Sequence, residues 1–327
     1  MKARMKYFSR IFGTILFASV APFAAAQDGY PRQAIKIVVP YPAGGTSDSV
    51  ARVLAQGLSE RLKQPVVVEN KGGAATMPAT AAVAKANPDG YTLMLTSTPL
   101  AINETLYKAT LPYRTFDDLQ PINVIATAPL LLIVHPSFKA KTMADLIAMA
   151  KAEPGKLTYA TSGNGGSGHL SMESIQLMTG TKFTHVPYRG SAPALQDLLG
   201  GQTNIMIDTL FLTKPHVDQG KARALAQLGA RRSPNGADIP TLDESGLKGF
   251  NISSWFILVA PTGTPKAIID RLNAVTNEII NQPAVSEQFA KQGLELMGGS
   301  PQDAQKFLKE QVERFGAAVK AANIKPD

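Results

Sequence analysis

Ile35-Lys36-Ile37-Val38-Val39-Pro40-Tyr41-Pro42-Ala43-Gly44-Gly45-Thr46-Ser47-Asp48 runs from an apolar, strand-like stretch into a Gly-rich turn, and a helical pattern follows. In that pattern Val50, Leu54, Leu58 and Leu62 recur every four residues, one apolar stripe suited to lying on a sheet. Far along the chain, Leu157-Thr158-Tyr159-Ala160-Thr161 leads into Ser162-Gly163-Asn164-Gly165-Gly166-Ser167-Gly168-His169, again strand, Gly-rich turn and helix start. Two such turns predict two α/β lobes. Each would present unpaired backbone N–H groups at a helix N-terminus, where an anion is held without Arg or Lys. The expected task is a clamp on a small carboxylate.

Apolar runs alternate with helical patterns outward from these turns. Val66-Val67-Val68 and Tyr91-Thr92-Leu93-Met94-Leu95 complete a β-α-β-α-β order, with Asp48 expected as N-cap of a first helix from about Ser49. Leu130-Leu131-Leu132-Ile133-Val134, Phe183-Thr184-His185-Val186, Ile205-Met206-Ile207 and Ala224-Leu225-Ala226-Gln227-Leu228 read as further strands, with a helix starting near Thr142. After Trp255-Phe256-Ile257-Leu258-Val259 the character changes to three helical segments reaching Ala322. No Pro/Gly-rich linker divides the chain, so the lobes should be joined by strands. Pro121-Ile122-Asn123-Val124-Ile125-Ala126 and Asn251-Ile252-Ser253-Ser254-Trp255 are the expected crossovers. Residues 27–125 and 255–327 would then make a discontinuous lobe 1, with residues 126–254 as lobe 2. Ligands of open α/β sheets sit beyond the carboxyl ends of the strands, so both Gly-rich turns should face the cleft.

Lys2, Arg4, Lys6 and Arg10 precede an apolar stretch at residues 11–23 that ends in Ala24-Ala25-Ala26. This pattern predicts a secretory signal peptide over residues 1–26, cut before Gln27. Removing those four cations and no anion lowers the formal charge from +8 to +4. With no basic stripe, that charge gives no reason to expect nucleic acid as a partner. The absence of Cys excludes disulfides, thiolate chemistry and Cys-ligated metals. His135, His185 and His216 lack metal-ligand spacing, so neither a metal nor a cofactor is expected.

Two enzyme motifs come close and fail. Gly163-Asn164-Gly165-Gly166-Ser167-Gly168 fits G-x-G-x-x-G, but the following strand ends in Pro187-Tyr188-Arg189 and supplies no acid for a ribose. Gly165-Gly166-Ser167-Gly168-His169 has His where the nucleophile elbow requires Gly, and no carboxylate is placed to orient a Ser167–His169 pair. Catalysis is not expected. An exported Ser-His hydrolase is kept as the contrasting alternative, with His169 otherwise serving the helix start.

Several separated motifs carry a resemblance. The first Gly-rich stretch, Val68-Glu69-Asn70-Lys71, Asn87-Pro88-Asp89-Gly90-Tyr91-Thr92-Leu93, His185-Val186-Pro187-Tyr188-Arg189-Gly190 and Asp197-Leu198-Leu199-Gly200-Gly201-Gln202 occur in the order of the periplasmic solute receptors of tripartite tricarboxylate transporters, often called Bug proteins. The chain resembles that family over nearly its whole mature length. It departs from it at Lys71-Gly72-Gly73-Ala74-Ala75-Thr76-Met77-Pro78, where relatives commonly carry Pro-Gly-Ala-Gly-Gly after the Asn.

The resemblance implies an α/β, type II-like periplasmic binding protein: two lobes, each a βα sheet sandwich, with the ligand cleft between them. It implies a monomer that captures a small organic carboxylate, a di- or tricarboxylate or related acid, for membrane permease subunits. The carboxylate would be held by the first turn (Tyr41, Ala43, Gly44, Gly45, Thr46, Ser47, Asp48) and the second (Ser162, Asn164, Gly165, Gly166, Ser167, His169). Ser97, Thr98, residues 188–191, Asp208 and Trp255 are further expected lining, with Asp48 turned away from the anion. An amino-acid or aromatic-acid ligand remains open, and Asp208 would accept from an amino group in the former case.

Overall fold

The structure is a computed structural model that describes residues 29–326, so the expected signal peptide lies outside the described residues. Its first part follows the sequence pattern closely. β1 (Ile35–Val39), α1 (Thr46–Leu62), β2 (Val66–Asn70), α2 (Met77–Ala84), β3 (Thr92–Ser97), α3 (Pro99–Leu106) and the single turn α4 (Thr115–Asp118) lead into the long strand β4 (Leu119–Val134). α5 (Met143–Ala152), β5 (Thr158–Thr161), α6 (Ser167–Thr179), β6 (Thr184–Pro187), α7 (Ser191–Leu199), β7 (Ile205–Thr209), α8 (Leu210–Asp218) and β8 (Arg223–Gln227) follow. The chain closes with β9 (Ser253–Pro261), α9 (Lys266–Ile280), α10 (Pro283–Lys291), β10 (Glu295–Gly298) and α11 (Pro301–Ala321). β10, a short strand between α10 and α11, is not announced by the helical pattern that follows Val259.

Strand order is β2-β1-β3-β9-β4-β7-β5-β6, with β8 and β10 also paired to β4. β1 pairs parallel with β2 and β3, and β5 pairs parallel with β6 and β7. β4 joins the two halves. It runs antiparallel to β9 from Leu119 to Pro129 and then to β7 and β8 from Leu130 to Val134. Its apolar run from Leu130 to Val134 is fully buried, and α8, α9 and α11 pack against the strand.

The stripe Val50, Leu54, Leu58 and Leu62 is buried as expected for a helix laid on strands. α1 nevertheless starts at Thr46, capped by Gly45, which places Asp48 at the third helical position instead of the N-cap. Gly-rich turns end in extended glycines here, and the helix begins as soon as side chains resume. α5 and α11 carry complete capping boxes, Thr142 with Asp145 and Ser300 with Asp303. Among the described residues no helix is long and apolar enough to cross a membrane.

Candidate functional site

Five helices begin around one small chamber. Gly45, Thr46 and Ser47 open α1, Ser97 and Thr98 precede α3, Gly166, Ser167 and Gly168 open α6, Ser191 opens α7, and Asp208 and Thr209 precede α8; all of them line it. None of the five helices has a side-chain cap at its N-terminus. First-turn N–H groups have no partner within their own helix, so these starts supply donors and the positive ends of five dipoles to one place. Among the described residues no Lys, Arg or His lines the chamber. Its volume is about 40 Å³, room for a carboxylate or about three waters.

The topology explains the convergence. Residues 40–45, 97–98, 162–166, 188–190 and 208–209 leave the carboxyl ends of β1, β3, β5, β6 and β7, the edge where α/β sheets bind ligands. Close packing holds these turns together. A Cβ on Gly168 would stand 2.6 Å from the Ile207 carbonyl oxygen, so only glycine lets α6 lie this near β7. At Gly190, where φ is +114°, a Cβ would stand 2.9 Å from Cδ of Pro42, so the first turn meets the loop after β6 directly. The Thr46 and Thr209 hydroxyls bridge the chamber at 2.7 Å, and the Tyr41 hydroxyl bonds Ser97 Oγ at 2.8 Å.

Asp48 works behind this wall. Its carboxylate accepts from the Gly44 amide (3.0 Å), Arg52 Nε (3.1 Å) and Asn70 Nδ2 (3.0 Å), and it does not line the chamber. Burial opposes its charge, but the bonds from Arg52, Gly44 and Asn70 prevail and hold the carboxyl below its ordinary value of 3.8. A depressed folded-state pKa stabilises the fold above that ordinary value, and the contribution disappears as pH falls through the lower folded value. Asp48→Asn should therefore flatten the acid limb of a stability-versus-pH curve below about pH 4, read by urea unfolding at stepped pH.

His169 also supports the wall from behind. Its Nδ1 accepts from the Gly165 amide at 3.3 Å, and its ring stacks on His185 at 4.3 Å, which stacks on Tyr159 at 4.6 Å. Burial, with His169 beside it, holds His185 down at about 3, so that ring is neutral. Ser167 and His169 thus belong to separate environments, one at the chamber and one in a ring stack. Ala43 and Gly44 are exposed at the rim and line neither the chamber nor the cavity beyond it. Gly165 is buried and lines neither. Trp255 sits in the core, edge-on to Phe307 at 5.6 Å, while its neighbours Ser254 and Phe256 face the chamber. Alternation along a strand puts the flanking residues on the opposite face.

A larger cavity of about 350 Å³ adjoins the chamber and shares Tyr41, Pro42, Ser162 and Gly166 with it. Its walls are mainly apolar, from Pro40, Ala75, Met77, Pro99, Tyr107 and Pro187, with Ser162, Asn164 and Thr76 among its polar points and, among the described residues, the exposed Arg189 as its one charge. Ala75 (φ 51°) and Thr76 (φ 68°) hold left-handed backbone there. Two consecutive non-glycine residues, one of them β-branched, are strained in this region. This is the segment where the chain departs from the Gly-rich pattern, and the Ala75 carbonyl is pinned by Asn103 Nδ2 at 2.8 Å. Among the described residues no group of three or more His, Cys, Asp or Glu could hold a metal ion.

Comparison with known proteins gives a consistent set of relatives. A family model described as tripartite tricarboxylate transporter family receptor matches residues 50–324. Protein BugT of Bordetella pertussis is 38% identical over 95% of this chain and 96% of its own. Among solved structures, Rpa4515 of R. palustris with adipate superposes with a TM-score of 0.88 at 38% identity, over 91% of this chain and all of that one. MatC of Rhodopseudomonas palustris with bound malate superposes at 0.85 and 30% identity, over 89% of this chain and all of its own.

Proposed function

The chain belongs to the tripartite tricarboxylate transporter receptor family, periplasmic solute receptors and not enzymes; from that premise we propose that it captures a small organic di- or tricarboxylate between its two lobes and hands it to membrane permease subunits. The observation that carries this reading is the meeting of five helix N-termini without side-chain caps at a chamber that, among the described residues, no cationic side chain lines. One carboxylate fits that chamber. Thr46, Ser47, Ser167 and Ser191 offer amides to it, and Ser47 and Ser167 offer hydroxyls as well, those of Thr46 and Ser191 being bonded to Thr209 and Asp208. Hydrogen bonds to a charged group contribute about 1.5–3 kcal/mol each, so several suffice for micromolar affinity, about 8 kcal/mol, after ordering costs.

The body of the acid then occupies the apolar cavity, and its far carboxylate reaches toward Arg189. The lobes, 27–125 with 255–327 against 126–254, close around it by a hinge motion. The neighbours named with adipate and malate supply two probes of different length.

Calorimetric titration with butyrate, succinate, malate, adipate and citrate tests this reading. Binding of di- or tricarboxylates over butyrate is expected, and a panel in which no acid binds would defeat it. Arg189→Gln should weaken the dicarboxylates by about two- to fivefold, the scale of a water-exposed ion pair, and leave the butyrate titration without a matching loss. Equal losses for both would remove Arg189 as the reader of the far end. A second reading, an α-amino acid receptor, is favoured by the buried Asp208 carboxylate at the chamber. Aspartate and glutamate in the same titrations separate the two.

A further inference from the structure

Among the described residues Asp208 is the one charged side chain on the inner chamber, and it lies where an anion is expected to bind. It is only 6% exposed, at the end of β7. Its Oδ1 already accepts from the Thr209 amide at 2.7 Å and from Thr209 Oγ1 at 3.3 Å. We propose, resting on the carboxylate-receptor reading above, that the loaded receptor holds Asp208 as the neutral acid, so that the bound carboxylate is carried together with one proton.

The reason is a charge count at close quarters. Two carboxylates forced to share a desolvated site do not both stay ionised unless a cation joins them. None is available. β4, which pairs with Asp208 through Leu131, carries no titratable residue. The other elements packed on β7 carry Tyr159 on β5, His169 and Glu173 on α6, Asp197 on α7, and Lys214, His216 and Asp218 on α8, and none of these lines the chamber. Tyr41 does, and its phenol stays neutral because burial pushes it far above its ordinary value. Arg189 lines only the adjoining cavity. An incoming carboxylate takes the first-turn amides of these helix starts, and Asp208 is left with the bonds from Thr209 and Ser191 that it already has.

The remaining charge is removed by a proton from solvent, which adds to one Asp208 oxygen and turns –COO⁻ into –COOH. Burial already pushes this carboxyl up, against the bonds from Ser191 and Thr209. The neutral acid also gains a donor at the chamber wall, which the ligand's own oxygens can accept.

The test uses the whole mature chain, saturated with whichever of succinate, malate, adipate or citrate binds. The Asp208 carboxyl carbon is assigned in ¹³C-labelled protein through its sequential link to Thr209 and followed from pH 6 to 8. A signal at the protonated position through pH 7 is expected. One at the ionised position in the loaded receptor overturns the inference while leaving the carboxylate reading intact. A panel in which no acid binds defeats both. In support, Asp208→Asn should bind its acid more tightly than the parent above the free-state pKa of Asp208, where the parent's Kd rises up to tenfold per pH unit.

Discussion

Ser167→Pro is expected to weaken carboxylate binding by roughly 10- to 100-fold, the value of one or more hydrogen bonds to a charged group, while leaving the thermal midpoint within a few degrees. The separation of the two effects follows from helix geometry. Ser167 is the first residue of α6, where proline's fixed φ suits the helix and its missing N–H costs no intrahelical bond. The preceding Gly166 is extended (φ −86°, ψ 167°), the conformation that a residue before proline prefers. The ring therefore removes one amide donor from the chamber together with the Ser167 hydroxyl, and leaves the helix start in place. Ser167→Ala is the control, because it keeps the amide and loses only the hydroxyl. Calorimetry and thermal melts of the pair decide the matter: equal affinities would show that the main-chain N–H takes no part.

Gly168→Ala is expected to damage both fold and function. The new methyl would meet the Ile207 carbonyl oxygen at 2.6 Å, and a backbone atom inside a paired strand cannot rotate away. Overpacking of this kind costs about 1–3 kcal/mol. Relief requires α6 to lift from β7, which parts Ser167 from Asp208 and Thr209, the opposed walls of the chamber. Affinity should fall more than tenfold even where the variant remains folded, since positioned donors lose most of their value with small displacements. Urea unfolding and titration of the same sample check this. Parent-like values in both would mean that the helix–strand approach is slack.

The strands were legible in the sequence wherever a short apolar run ended in a turn, and α1 was legible from its four-residue stripe. Boundaries were less so. Asp48 resembles an N-cap in sequence, yet it is the third helical residue and ties Gly44, Arg52 and Asn70 together from behind the turn. Trp255 lies one position from two chamber residues, Ser254 and Phe256, and faces the other way, a distinction fixed by strand alternation. His169 lies two positions after Ser167 and turns toward His185, because helical residues two apart point to different sides of the helix. Thr209, Ser254 and Phe256 carry no local mark of the site; Thr209, for one, meets Thr46 from 163 positions away.

The sequence by itself determined the βα units, the Gly-rich turns at strand ends and the family, because each depends on short-range periodicity, turn chemistry or ordered motifs. Only the tertiary structure decided that five helix starts meet at one chamber, with Asp208 on its wall and Arg189 beyond it. That meeting depends on β4 passing from one half of the sheet to the other and on glycine-thin contacts between distant segments. Such contacts are set by packing among residues far apart in the chain, which no local pattern encodes.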